Sequence, residues 1–454
     1  MDEPRRVSPA TAPVVETSAR TICLAAAFLL LGFGGQAVRN LLGWPGFVLV
    51  SLALLSLAVR VLLDARPSIR IVPPALLAFL LVCAGSLLWS DYRWTTALAV
   101  AAQLATTAAG VAIAVTLDRR TVILVLARSS SLLVAVSLVF EILVTTVVGH
   151  RFAPFTGERS PDLPGAFYWS ENRLLEGGPI QGVVGNRNLL AFIALLAIIS
   201  VIVVAVNRRR ASRLDVASLS TAVAALALTR SATVIAALIV VAALAAAVLV
   251  LRRVPSEHRS RALIATGAAG VGVTLLAWQH TDLVLGLLGR SDLTNRVDVW
   301  RTVASIAEQS PWLGLGWTGY WAPWAKPFDG LIVIDGVEYL QAHNALLDVW
   351  LQVGAVGVVA ACWLVGTVLM KAIRLAMLSE RRDLGLSIAP LLLVVALLVQ
   401  SLTESRLLIE GNWMLLVVLA LHLAASERTR PSLAPEPAQR GSVRAGSASD
   451  RRPR

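Results

Sequence analysis

The chain has 454 residues, of which 57% are hydrophobic and 15% charged, and its mean hydropathy is +0.73. A water-soluble protein of this size could not hide so much apolar surface, so lipid must be the solvent for most of it. The net charge of +12 would point to nucleic acid in a soluble protein, but here the arginines fall in short loops between apolar runs, where they act as topology signals.

In chain order, apolar runs predict helices at about 21–38, 45–63, 71–90, 96–117, 121–149, 183–206, 215–229, 231–251, 262–279, 345–370, 386–402 and 411–426. The expected fold is an all-α polytopic membrane protein of about 12 transmembrane helices, one domain over 21–426 between polar tails at 1–20 and 427–454. The first apolar run lacks a small-residue cleavage site and reads as a retained helix. The tail, rich in Pro, Ser, Ala and Arg, reads as disordered and basic. With the N-terminus in the cytoplasm, the inside loops hold Arg66 and Arg70, Arg119 and Arg120, Arg208 to Arg210, Arg252 and Arg253, and Lys371 with Arg374. The short outside turns hold few, for example Arg39, Arg93 and Arg406, so both termini are expected to be cytoplasmic. Cys23, Cys83 and Cys362 lie in apolar runs at unrelated spacings and read as small core residues.

This topology leaves two long extracytoplasmic loops, about 150–182 and 280–344, and loops longer than a connector needs tend to carry function. In the second, Val297, Trp300, Val303, Ala304 and Ala307 recur at helical spacing and predict a short amphipathic helix at 296–309, lying on the membrane surface and stopped by Pro311. Arg296 and Arg301 belong to this helix. Gly314-Leu315-Gly316-Trp317-Thr318-Gly319 matches a dinucleotide fingerprint in letters only, since no strand precedes it, and reads as a glycine-permitted turn. Trp317 and its neighbours Trp312, Trp321 and Trp324 suit either an interfacial belt or a platform for sugar rings.

His343 precedes the tenth run. It is either an interfacial histidine bonded to nearby backbone or a group able to take a proton from a hydroxyl. Arg230 interrupts two apolar runs, and an arginine in hydrocarbon costs about 2.5–3.5 kcal/mol, so it needs a partner or a wet cavity. Guanidinium forks match phosphate oxygens, and Arg230, Arg296 and Arg187 could together hold a pyrophosphate. Asn186 and Asn188 at the start of the sixth run are either helix caps or part of the same site.

Four segments together resemble the O-antigen ligase and polymerase superfamily (the WaaL and Wzy proteins): Gly185-Asn186-Arg187-Asn188; Thr229-Arg230-Ser231-Ala232; Asn295-Arg296 through Trp300, Pro311 and Gly314-Leu315-Gly316; and Ala342-His343-Asn344 with Gly354 and Gly357. The resemblance covers about 180–360 and departs from the family where Arg187 replaces a frequent proline and Thr229-Arg230-Ser231 replaces Ser-Arg-Gly. It implies a glycosyltransferase of the bacterial cytoplasmic membrane that works at its outer face. The donor is a polyprenyl-pyrophosphate-linked glycan and the acceptor a glycan or lipid, with inversion and with neither metal nor cofactor. Arg230, Arg296 and His343 would be catalytic, the arginines on the donor pyrophosphate and the histidine on the acceptor hydroxyl. Arg187, Asn186, Asn188, Asn344, Arg301 and Trp317 are the candidate binding residues. The absence of an Asp-x-Asp pair or a His-Glu-x-x-His agrees with charge neutralisation by fixed cations. A lipid-linked glycan flippase would instead place polar groups deep in several spans, where few occur (Gln103, Glu141, Asn207 at an edge and Gln400 near an end), and a non-catalytic scaffold would tolerate change in the outer loops.

Overall fold

A computed structural model describes residues 18–156, 164–255, 257–262, 264–265, 267, 270, 294–379 and 383–428. Nearly all of the amino-terminal tail, most of the ninth predicted run, the start of the second loop, Arg159, Arg381, Arg382 and the carboxy-terminal tail beyond 428 lie outside the described residues. The helices are α1 (Ala19–Ala65), α2 (Pro74–Gly85), α3 (Arg93–Thr116), α4 (Arg119–Leu143), α5 (Arg187–Arg208), α6 (Arg213–Thr229), α7 (Ala232–Leu251), α8 (Thr294–Ala307), α9 (Ala345–Leu378), α10 (Leu384–Ser401) and α11 (Glu410–Arg428). Among the described residues, 7 are long and apolar enough to cross a membrane, so the protein is an all-α polytopic membrane protein.

Two of the long helices are broken. In α1 the break is Gly43, with φ 69° and ψ −176°, just before Pro45. Phe47 packs against Gly35, twelve positions earlier, which a straight helix would hold about 18 Å away. Gly43 therefore folds the chain back, and the two arms of α1 are the first two runs read from sequence. In α9 the break is Val353–Gly354, with Gly354 at φ 65°.

α5 is the hub. Apolar on every side, it packs against α4, α6, α7 and α10, and 83% of its most apolar stretch is buried, against 6% for α1. Cys83 is buried as expected, but Cys23 and Cys362 are exposed on the outside of the bundle.

The basic turns close one end of the bundle. Arg128 pairs with Asp215 at 2.8 Å, Arg252 donates to Ala376 O at 2.7 Å, and Lys371 meets Glu427 at 3.0 Å. At the opposite ends of the same helices lie the starts of α5, α7 and α9 and the α10–α11 connection. The first long loop is pinned there by Glu141 of α4, which is 1% exposed and accepts from the backbone N–H groups of Gln181 (3.0 Å) and Gly182 (2.7 Å) and from Ser170 Oγ (2.6 Å). Gln103 donates to Leu408 O and Gln400 accepts from Asn412, so these deep polar groups serve structural contacts.

The second loop is more folded than its sequence predicted. The apolar face of α8 packs on protein: it buries Val299, Val303 and Ala307 against Trp321, Phe328 and Leu351 of α9, making a small core of its own. A two-stranded hairpin (β1, Val333–Ile334; β2, Val337–Glu338) turns at Asp335-Gly336, both with positive φ, a dipeptide suited to a two-residue turn. The glycine-rich stretch is the turn expected, with a definite task. The break in α9 leaves carbonyls free, and Leu315 N and Gly316 N donate to Leu351 O (3.0 Å) and Gln352 O (2.7 Å). The Gln352 side chain accepts from Thr318 N and Gly319 N at 2.8 and 2.9 Å. In return Ala355 N donates to Pro311 O at 2.8 Å.

Candidate functional site

One buried carboxylate gathers the segments singled out in the sequence. Glu404, in the connection between α10 and α11, has a side chain only 4% exposed. Its Oε1 accepts from Asn188 Nδ2 at 2.8 Å and faces Arg296 Nη2 at 3.9 Å, and its Oε2 accepts from Gln341 Nε2 at 3.2 Å and meets His343 Nδ1 at 3.3 Å. Asn188 Oδ1 in turn accepts from Ser231 Oγ at 2.9 Å. A single polar chain thus runs from the α6–α7 junction through the start of α5 to Glu404, and on to α8 and the start of α9.

Local structure explains each position. Asn186 caps α5 by accepting from Leu189 N at 3.0 Å, which leaves Asn188, in the first turn, free to point at Glu404. Asn344 caps α9 by accepting from Leu346 N and Leu347 N, and its own N–H donates to Ser405 Oγ at 3.1 Å, tying the loop to the Glu404 segment. His343 takes a left-handed backbone (φ 53°) that turns the chain into α9, and its ring meets Tyr339 edge-on at 5.3 Å. Trp300 of α8 donates to Ala342 O at 3.0 Å, while Ala342 N donates to Asp348 Oδ2 at 2.8 Å, fixing the peptide before His343.

Burial alone would push the Glu404 carboxyl up. The hydrogen bond from His343 and the charges of His343, Arg296 and Arg406 outweigh it and hold the group down at about 2. An ionised carboxylate only accepts, so it favours a proton on the His343 Nδ1 that faces it, and the ring's Nε2 is the nitrogen turned away from Glu404.

The remaining sequence candidates divide. Arg230 also has a left-handed backbone (φ 48°), is exposed next to Ser231, and donates from Nη2 to Glu176 O at 3.3 Å. Arg187, beside Asn188, forms no ion pair with any described residue and is half-buried. Neither guanidinium hydrogen-bonds to or ion-pairs with the Glu404 cluster, and two further candidates lie apart from it. Arg301 is on the exposed face of α8 and pairs with Asp298 at 3.2 Å, three residues away. Trp317 is 2% exposed and edge-on to Phe79 at 5.7 Å, so a ring placed to meet sugar is instead part of the helix core. Of the four loop tryptophans, Trp321 is also buried, donating to Asp348 at 2.7 Å, and Trp312 and Trp324 are exposed.

Sequence reasoning missed Glu404, Gln341 and Ser231. The available signal for Glu404 was the short stretch Thr403-Glu404-Ser405-Arg406 between two apolar runs, where a carboxylate must find donors. Among the described residues no three His, Cys, Asp or Glu side chains come together as a metal-ligand set.

Fold and site together define a polytopic helical membrane protein with guanidinium, imidazole and carboxylate groups gathered at one end of its bundle. Residues 216–362 match the family model described as O-antigen ligase, and this stretch contains Arg230, Arg296 and His343. The match overlaps the stretch that carries the resemblance read from the motifs and supports the O-antigen ligase/polymerase superfamily. Comparison with curated proteins gives no match.

Proposed function

We propose that the protein is a glycosyltransferase that moves or extends a glycan carried on a polyprenyl pyrophosphate, at the outer face of a bacterial cytoplasmic membrane. The observation that carries this reading is the meeting of Arg296 and His343 on one buried carboxylate, Glu404, at 3.9 and 3.3 Å.

The chemistry follows from the groups present. The acceptor hydroxyl gives its proton to His343 Nε2 as its oxygen attacks the anomeric carbon. The bond from that carbon to the pyrophosphate oxygen breaks, configuration inverts, and polyprenyl pyrophosphate leaves with the electron pair. Its charge is met by Arg296 and Arg230, with Arg187 at the same rim, in a reaction that needs no metal. Glu404 fixes the imidazole tautomer and orientation and then stabilises the imidazolium, as the carboxylate does in hydrolase triads. Asn188 and Gln341 fill its remaining acceptor positions, and Asn344 sets the backbone that presents His343.

The basic end of the bundle supports a cytoplasmic placement for the turns it holds and an external one for the site. A flippase is less well supported, because Gln103 and Glu141 are committed to fixed partners. In cells, His343→Ala and Arg296→Ala should each abolish the glycan product while the protein still reaches the membrane. Unchanged surface glycan in both variants would remove the catalytic assignment.

A further inference from the structure

A notch of about 680 Å³ opens at the basic end of the bundle, between the last turns of α9 and α11, at the far end of α9 from His343. Lys371, Arg374, Leu375 and Leu378, spaced three or four positions apart or adjacent, line it from one face of α9. Leu423, Ser426 and Glu427 line it from one face of α11. Two cations share one carboxylate: Lys371 Nζ meets Glu427 Oε2 at 3.0 Å and Arg374 Nη1 faces Oε1 at 3.8 Å. Arg119 of α4 donates from Nη2 to Ser426 Oγ and brings a third cation to the wall. The carbonyl end of α9, which would oppose an anion, is already covered: Ser379 Oγ donates to Leu375 O at 2.6 Å and Arg252 Nη1 to Ala376 O at 2.7 Å.

We infer that this notch holds the phosphodiester headgroup of an anionic glycerophospholipid, with its acyl chains lying along Leu375, Leu378 and Leu423. The site is separate from the Glu404 cluster and does not depend on the function proposed above. Charge selects the headgroup: Lys371 and Arg374 against Glu427 leave one positive charge even before Arg119 is counted, and a singly charged phosphodiester balances it. A phosphatidylcholine headgroup carries its own cation and would gain nothing there. The apolar lining selects a lipid over a soluble phosphate, since Leu378 is 61% exposed beside two cations, a surface that acyl chains cover and water does not. Basic pockets between transmembrane helices suit anionic headgroups because the surrounding leaflet supplies the phosphate and long Lys and Arg stems reach it from an apolar base.

The test is native mass spectrometry of the full chain in detergent, titrated with phosphatidylglycerol or with phosphatidylcholine of the same acyl length. Wild type should hold the first phosphatidylglycerol about fivefold more tightly than phosphatidylcholine, and Lys371→Gln should lose about fivefold, the scale of one basic residue at an anionic headgroup. Glu427→Gln should instead tighten phosphatidylglycerol about threefold, because it removes the carboxylate that competes for both cations. Both substitutions break the same ion pair, so a pair that serves only to join the helices would move affinity in the same direction in each. Leu378→Asn disturbs no ion pair and should weaken phosphatidylglycerol about threefold by removing acyl contact. Equal retention of phosphatidylcholine would mean that bulk lipid fills the notch, and displacement by millimolar glycerol phosphate would mean a site for soluble anions. Either result, or weaker binding in Glu427→Gln, overturns the assignment.

Discussion

Replacing Glu404 with Gln keeps the shape of the side chain but removes the charge around which four segments are arranged. The amide retains one acceptor oxygen and presents two N–H donors, so it cannot satisfy Asn188, Gln341, Arg296 and His343 together, and the proton of His343 loses its fixed place. The carboxyl is drawn from its ordinary 4.5 to about 2 in the folded protein. At about 1.36 kcal/mol per unit, that difference of 2.5 corresponds to about 3 kcal/mol of stabilisation. Because the folded value is the depressed one, this contribution is fully present above about pH 4.5 and is lost as pH falls toward 2. Thermal unfolding of wild type and Glu404→Gln in detergent should therefore show a gap in Tm at pH 6 that narrows steadily toward pH 3. At neutral pH the variant should lose about 10²-fold or more in kcat, the scale of a general base left without its orienting partner. A variant within twofold of wild-type transfer, with a Tm gap indifferent to pH, would refute the reasoning.

Asn186 and Asn188 should separate cleanly. Asn186→Ala loses a helix cap, costing about 1 kcal/mol in unfolding experiments with transfer retained, whereas Asn188→Ala breaks the Ser231–Asn188–Glu404 chain and should lower kcat at least tenfold. Gly354→Ala should not yield folded protein on size exclusion, because its Cβ has no room beside Trp312; Gly330→Ala, at φ 61° in open space, should cost only about 1 kcal/mol by thermal unfolding. Glu141→Gln should increase protease cleavage within the 150–182 loop, since Gln181 N and Gly182 N share one carboxylate oxygen that an amide replaces poorly.

The helices were readable because lipid imposes long apolar runs: α2 to α7 and α9 to α11 fall where those runs predicted. The fold-back at Gly43 was readable too, as a gap between two runs marked by Gly43 and Pro45. What periodicity could not supply was contact between distant segments. α8 was found from its spacing, but its destination was not, because an apolar stripe looks the same facing lipid or facing Leu351 and Phe328. Trp317 misled for a related reason: a tryptophan near the interface is amphipathic in sequence, and only packing against Phe79 decides which way it turns. Arg230, Arg296, His343 and Asn188 stood out as costly or polar residues at the ends of apolar runs. Glu404 did not, since its importance lies in the four partners that tertiary structure brings to it.

The proposed chemistry is tested by single-turnover transfer with purified protein and a defined polyprenyl-pyrophosphate glycan in EDTA, scoring free polyprenyl pyrophosphate and the new glycosidic linkage. Wild type should release the lipid and form an inverted linkage at an undiminished rate in chelator, and His343→Ala and Arg296→Ala should each be slower by at least 10²-fold. Release that stops on chelation, or that proceeds unchanged in both variants, would contradict it.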